Sequence, residues 1–255
     1  MEKSELKPAG VFHFFNEICQ VPRPSKKEGK MIEFLESFAK QYKIAIKKDA
    51  VGNILMSKPA TPGKENLPTV VLQSHMDMVC EKNSDVEFDF DNDPIRTRID
   101  GEWVRAEGTT LGADCGIGMA AALAVLLDES VEHGPLEALF TVDEETGLTG
   151  AFELGEGMLT GKYLVNLDSE DEGEIFIGCA GGIDTIATFH YTMEPSQKNY
   201  TFFRVDVSDL QGGHSGDDID KGRVNSNKTV ARLLWDGMQS FELKLCYFNG
   251  GNLRN

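Results

Sequence analysis

From Gly116 to Asp128 the chain is apolar on nearly every side of a helix, with only Asp128 charged at its far end. A helix without a polar face has to be buried all round. Its unbroken apolar run, Met119 to Leu127, is nine residues, against about 20 needed to cross a bilayer. The flanking sequence supplies apolar strands for it to pack on: Thr69 to Gln73 before it, Leu136 to Val142 and Tyr163 to Leu167 after it. Strands alternating with helices predict an α/β domain whose mixed, largely parallel sheet is covered by helices on both faces.

The remaining periodicities fit around that unit. Val11, Phe12, Phe15, Ile18 and Cys19, then Met31, Phe34, Leu35 and Phe38, mark two amphipathic helices at the start. Ile44 to Met56 reads as two short strands about the turn Asp49 to Asn53, and Asp100-Gly101 predicts a hairpin before Trp103 within an acidic, irregular stretch. The character changes near Gly181-Gly182. Ile183 to Tyr191 and Tyr200 to Val207 alternate as half-exposed strands, Asn225 to Gln239 is an amphipathic helix, and Phe241 to Phe248 is another strand. The expected organisation is therefore a domain over 1–182 and the start of a smaller α+β domain over 183–255.

Charge and cysteines exclude several functions. With 42 acidic against 25 basic residues the formal charge is −17, and no Lys/Arg cluster offsets it, so no nucleic-acid partner is expected. Most of this acidity belongs on solvated faces. The five cysteines are scattered and form no CxxC pair, which predicts neither a disulfide framework nor a zinc knuckle and suits a reducing compartment. Met1 to Gly10 has no apolar stretch of signal-peptide type, so a cytoplasmic location without membrane attachment is expected.

The chemistry gathers where strands end. In Ser74-His75-Met76-Asp77, His75 and Asp77 are two apart at the end of an apolar strand, so both can face one point, the carboxylate holding the imidazole. Asp114, in Gly112-Ala113-Asp114-Cys115-Gly116, precedes the buried helix and taken alone reads as a helix N-cap. Asp143-Glu144-Glu145 follows the second strand; such a run is a solvated acidic loop or the holder of a cation. Asp168 follows the third strand and by itself could be a turn former. In sheets of this class ligands collect at the carboxyl ends of strands, so the coincidence points to one shared site. One imidazole and several carboxylates suit two divalent ions, zinc, cobalt or manganese, with Asp114 as bridging candidate and an unligated glutamate as general base. His214, in Gly212-Gly213-His214-Ser215-Gly216, is either a plain turn residue or a donor to a developing oxyanion. No GxSxG or cysteine-nucleophile motif is present.

SHMDMV, LGADCGIGMA, TVDEETGLTGA, VNLDSE and GGHSG, in this order and spacing, resemble the aminoacyl-histidine dipeptidase branch of the zinc aminoacylase/carboxypeptidase-type metallopeptidases. The resemblance implies a zinc-exopeptidase-like fold with a lid or dimerisation domain, and hydrolysis of dipeptides of Xaa-His and β-alanyl-histidine type. It implies metal ligands at His75, Asp114, Glu145 and Asp168, two ions most often zinc, Asp77 orienting His75, Glu144 as general base and His214 assisting the oxyanion. A homodimer is implied for the full-length protein.

Two departures accompany the resemblance. Cys115 stands where that family usually carries an asparagine or another acid or amide residue. Family members are also nearly twice this long and take a last histidine ligand from the remainder, so weak or absent turnover is expected of this chain alone. Two other readings stay open: an amidohydrolase acting on N-acyl amino acids, and a non-catalytic metal- or peptide-binding half of a split protein.

Overall fold

The computed structural model describes residues 6–169, 173–178, 181, 183, 185–195, 199–214, 218 and 220–251. They fall into two compact units, Met1–Cys179 and Ala180–Asn255. The first opens with helices α1 (Ala9–Ile18) and α2 (Gly29–Tyr42), followed by strands β1 (Ala45–Lys48), β2 (Ile54–Lys58) and β3 (Val70–His75). The hairpin β4 (Thr97–Asp100) and β5 (Trp103–Ala106) precedes helix α3 (Ala113–Leu127) and strand β6 (Leu136–Thr141). Two single-turn helices, α4 (Glu144–Gly147) and α5 (Thr149–Phe152), lead to strand β7 (Tyr163–Asn166).

The five-stranded sheet has the order β1-β2-β6-β3-β7. The first two pairings are antiparallel, whereas β6, β3 and β7 run parallel, giving a mixed sheet flanked by helices, as the alternation of strands and helices predicts. The turn between β1 and β2 is built by Asp49, whose Oδ1 accepts the N–H groups of Val51, Gly52 and Asn53 at 3.1, 3.0 and 2.9 Å. The connection from β3 to its parallel neighbour β6 runs through α3, as a parallel pairing requires a crossover. The predicted hairpin also forms, with Asp100 opposite Trp103.

Alternation along the central strands sorts the core. Ile54, Met56, Ala138 and Phe140 face a large cluster made with Phe14, Phe15, Ile18, Met31, Leu35, Met119 and Leu123 of α1, α2 and α3. Leu55, Val71 and Leu139 face the other way, into a smaller cluster with Leu154, Met158 and Leu159. Helix α3 has eight buried residues, which accounts for its lack of a polar face.

In the second unit, helix α6 (Ser226–Phe241) forms where the periodicity predicts. Asn225 caps it, accepting the Lys228 N–H at 2.9 Å. The expected strands at 183–191, 200–207 and 241–248 are not found among the described residues. Their alternation is present in sequence, but a strand exists only where a neighbouring strand accepts its hydrogen bonds. The apolar side chains that a paired sheet would cover, Ile183, Ile186, Phe189, Phe202 and Phe203, are exposed.

Candidate metal centre

Because β6, β3 and β7 lie side by side in parallel, their carboxyl ends share one rim. β3 ends at His75, β6 runs into Asp143-Glu144-Glu145, and β7 runs through Leu167 into Asp168. The loop ahead of α3 adds Asp114. Its backbone is not helical (φ −77°, ψ 114°), nor is that of Cys115, so regular helix begins at Gly116. The side chain of Asp114 turns to the histidine: its Oδ1 is 2.9 Å from His75 Nε2.

His75 is the centre of the cluster and only 1% exposed. Its Nε2 also lies 3.6 Å from Asp168 Oδ1 and 3.9 Å from Glu144 Oε2. Two donor sets close on it: His75, Glu144 and Glu145, and His75, Cys115 and Asp168, the ligand atoms of each within 4.8 Å of one another. On the far side of the ring, Nδ1 is 3.2 Å from Asp77 Oδ1. Asp77 is completely buried and does more than hold the imidazole. Its carboxylate accepts the backbone N–H groups of Glu144 at 3.0 Å and Glu145 at 3.2 Å, and the Ser25 hydroxyl at 2.8 Å. One carboxylate thus fixes both the histidine and the turn that presents two glutamates.

The electrostatics divide along the same line. Burial alone would raise Asp77, but hydrogen bonds from His75, the Glu144 N–H and Ser25 hold it below the ordinary carboxylate range. Glu145 has the opposite balance: burial, then the charge of Asp114, pushes it up to about 7. Glu144 and Asp168 are raised too, chiefly by burial and against the pull of His75. Burial would lower His75, yet its hydrogen bonds to Asp114 and Asp77 and the charge of Asp168 prevail and raise it to about 10. Burial and the neighbouring Asp168 also push the Cys115 thiol well up, and its Sγ donates to the Leu167 carbonyl at 3.4 Å.

The donor set suits divalent ions. Several carboxylates crowd one imidazole, burial and the neighbouring carboxylates hold Glu144, Glu145 and Asp168 above the ordinary carboxylate range, and the ring's other nitrogen faces a carboxylate, the usual arrangement for a metal-binding histidine.

Of the residues named from sequence, His75, Asp77, Asp114, Glu144, Glu145 and Asp168 come together here. His214 belongs to the second unit, where its N–H donates to Asp218 Oδ2 at 2.9 Å. Sequence reasoning missed the supports. Asn53, fully buried, accepts the Val142 N–H at 3.0 Å and donates to the Gly150 carbonyl at 2.8 Å, bracketing the acidic turn. Glu28 Oε1 accepts the Asp143 N–H at 2.9 Å. Arg23 is buried behind His75. The one available signal was a charged residue between two prolines, Pro22-Arg23-Pro24, beside an apolar helix.

The profile of Peptidase family M20/M25/M40 matches residues 71–230. The chain is 50% identical over 254 residues to the cytosol non-specific dipeptidase of Escherichia coli, an alignment covering 100% of this chain and 52% of that one. It superimposes on the crystal structure of an aminoacylhistidine dipeptidase from Vibrio alginolyticus with a TM-score of 0.70 at 45% identity, again covering 100% of this chain and 52% of the other. The crystal structure of aminopeptidase PepT from Bacillus cereus gives a TM-score of 0.53 at 28% identity, over 64% of this chain and 43% of that one. The chain spans about half the length of the relatives it matches along its whole extent.

Proposed function

The chain belongs to Peptidase family M20/M25/M40, and on that premise we propose that its site serves the hydrolysis of dipeptides, of Xaa-His and β-alanyl-histidine type among others. The observation that carries the reading is the convergence of His75, Asp114, Glu144, Glu145 and Asp168 at the ends of three parallel strands, with Asp77 buried behind the histidine. In this reading His75, Asp114, Glu145 and Asp168 hold two divalent ions, zinc first and cobalt or manganese next, Asp114 between them. Bound there, such ions supply positive charge that acidifies water and polarises the scissile carbonyl.

The chain's own groups do the rest. Asp77 keeps the Nδ1 proton of His75 in place, so Nε2 is the nitrogen turned to the ions. Burial makes the Glu144 carboxylate more basic than usual and its side chain is within reach of the cluster, which suits a group that takes a proton from the attacking water and returns it to the leaving amine. His214 donates to the oxyanion. The domain over 1–182 carries this site and 183–255 begins a lid or dimerisation domain, the full-length protein acting as a homodimer in the cytoplasm. Among the described residues no helix is long and apolar enough to cross a membrane.

The test combines metal titration with hydrolysis. The chain is expected to bind divalent ions, and Glu144→Gln to keep that binding while abolishing whatever turnover of a β-alanyl-histidine dipeptide the chain supports. Faster turnover of an N-acetyl amino acid than of the dipeptide would transfer the reading to an amidohydrolase. Absence of zinc and manganese binding would refute the metal-centre assignment.

A further inference from the structure

Segment 23–28 touches three of the loops that present candidate ligands, those after β3, before α3 and after β6, yet it contributes no ligand itself. Arg23 is 2% exposed, and Pro22 and Pro24 restrict the backbone on either side of it. Its Nη1 donates to the carbonyls of Met76 at 3.1 Å and Asp77 at 2.6 Å, the two residues that follow His75. Its Nη2 donates to the carbonyl of Gly112, two residues before Asp114. Ser25 holds the Asp77 carboxylate, and Glu28 holds the Asp143 N–H at the start of the acidic turn.

The surroundings are shaped to admit the guanidinium. A Cβ at Gly112, where φ is +68°, would stand 2.5 Å from Arg23 Nη2, and one at Gly116 would stand 2.7 Å from it. Two glycines at the mouth of α3 therefore leave room for one buried cation. The donors of Arg23 go to backbone carbonyls, so its contribution here is geometric. A planar fork with fixed donor directions can join two loops at a set distance, which a single flexible ammonium cannot.

We propose that Arg23 is a positioning residue for the metal centre: its guanidinium clamps the loop after β3 to the loop before α3 and so sets the distance between His75 and Asp114. Ser25 and Glu28 complete a strap that holds the third loop in register. The inference rests on the metal-centre reading above and adds to it a determinant outside the ligand set.

The test uses the full chain and its variants Arg23→Met and Arg23→Lys, with Mn²⁺ and Zn²⁺ affinity measured by chelator competition and the visible absorption of bound Co²⁺ as a report of coordination geometry. Arg23→Met is expected to weaken affinity about 10- to 100-fold, the range for losing a group that orients a ligand, and to change the Co²⁺ spectrum. Arg23→Lys keeps the charge but not the fork and is expected to fall between. A Phe38→Leu core variant lowers stability without touching the loops and is expected to keep wild-type affinity and spectrum. Wild-type affinity and spectrum in a folded Arg23→Met overturn the proposal; should that variant not fold, the same result in Arg23→Lys does so. Failure of the wild-type chain to bind any of the three ions defeats the metal-centre reading instead, a separate outcome.

Discussion

Asp77 and Glu145 are carboxylates of one site, joined by a hydrogen bond from the Glu145 N–H to Asp77 Oδ2 at 3.2 Å, and their acidities move in opposite directions. Both are taken out of water. Asp77 has a donor for each direction its oxygens face: an imidazole, two backbone amides and a hydroxyl. Glu145 faces Asp114 and Glu144, and the pull of His75 does not compensate. The difference separates a carboxylate that serves as scaffold from one that, in the proposed reading, holds a cation. A buried acid already satisfied by protein donors gains little from a metal, whereas one raised by burial and by the charges beside it gains much.

The largest effect that separates the two comes from Asp77→Ala. Removing it strips the Ser25 hydroxyl and the Glu144 and Glu145 N–H groups of their acceptor and takes a carboxylate from the buried His75, so denaturant unfolding of the metal-free protein is expected to show a loss of about 3–5 kcal/mol. A loss under about 1 kcal/mol would mean that Asp77 is no scaffold.

The second effect is linkage between metal and pH. Glu145 and His75 are both raised in the folded protein. Their stabilising contribution is complete below their ordinary values of about 4.3 and 6.5 and is lost as pH rises through about 7 and then about 10. Asp77 has the other sign, its contribution present above about 3.9 and lost on acidification. Metal-free protein is therefore expected to lose stability as pH rises from about 5 to 9. Added Zn²⁺ or Mn²⁺ should restore it increasingly over that range, by about 2.7 kcal/mol at a hundredfold excess over Kd. Thermal melts with and without ion test this, and a metal shift that shrinks as pH rises contradicts it.

Glu145→Gln sharpens the contrast at smaller scale. Taking a strained charge out of the metal-free site is expected to stabilise it by about 1–2 kcal/mol near pH 8 while weakening ion binding. Destabilisation by the same substitution would place Glu145 with the scaffold. Ser25→Ala should cost least, about 1 kcal/mol, because Asp77 keeps its other donors. A cost as large as that of Asp77→Ala would show the hydroxyl to be the main support of the carboxylate.

How much of this was legible follows from how local each signal is. The His75 and Asp77 pairing is written in a two-residue spacing, and the acids after β6 and β7 are written in where apolar runs stop. Those features survive in one dimension. The roles of Arg23, Glu28 and Asn53 depend on partners 53 to 115 residues away, including Met76, Asp143 and Val142, and no spacing announces them. The strands expected at 183–191, 200–207 and 241–248 are not found among the described residues for a related reason. Alternation states which side chains would share a face, but not which neighbour would accept the backbone hydrogen bonds.

Strand β7 has one neighbour among the described residues, β3, paired over the four positions from Val70–Tyr163 to Gln73–Asn166, and Tyr163, Leu164 and Val165 are exposed. Among the described residues Asp168 is thus carried by a strand paired on one side, while His75 and the acidic turn are carried by strands paired on both. An edge strand with little buried apolar contact opens at a lower free energy than the rest of its unit. Such an opening withdraws one carboxylate and leaves the others assembled, so an ion can leave or be exchanged without the unit unfolding. Amide hydrogens of Leu164 to Leu167 would then exchange faster than those of β6, and metal dissociation would track that local opening rather than global melting.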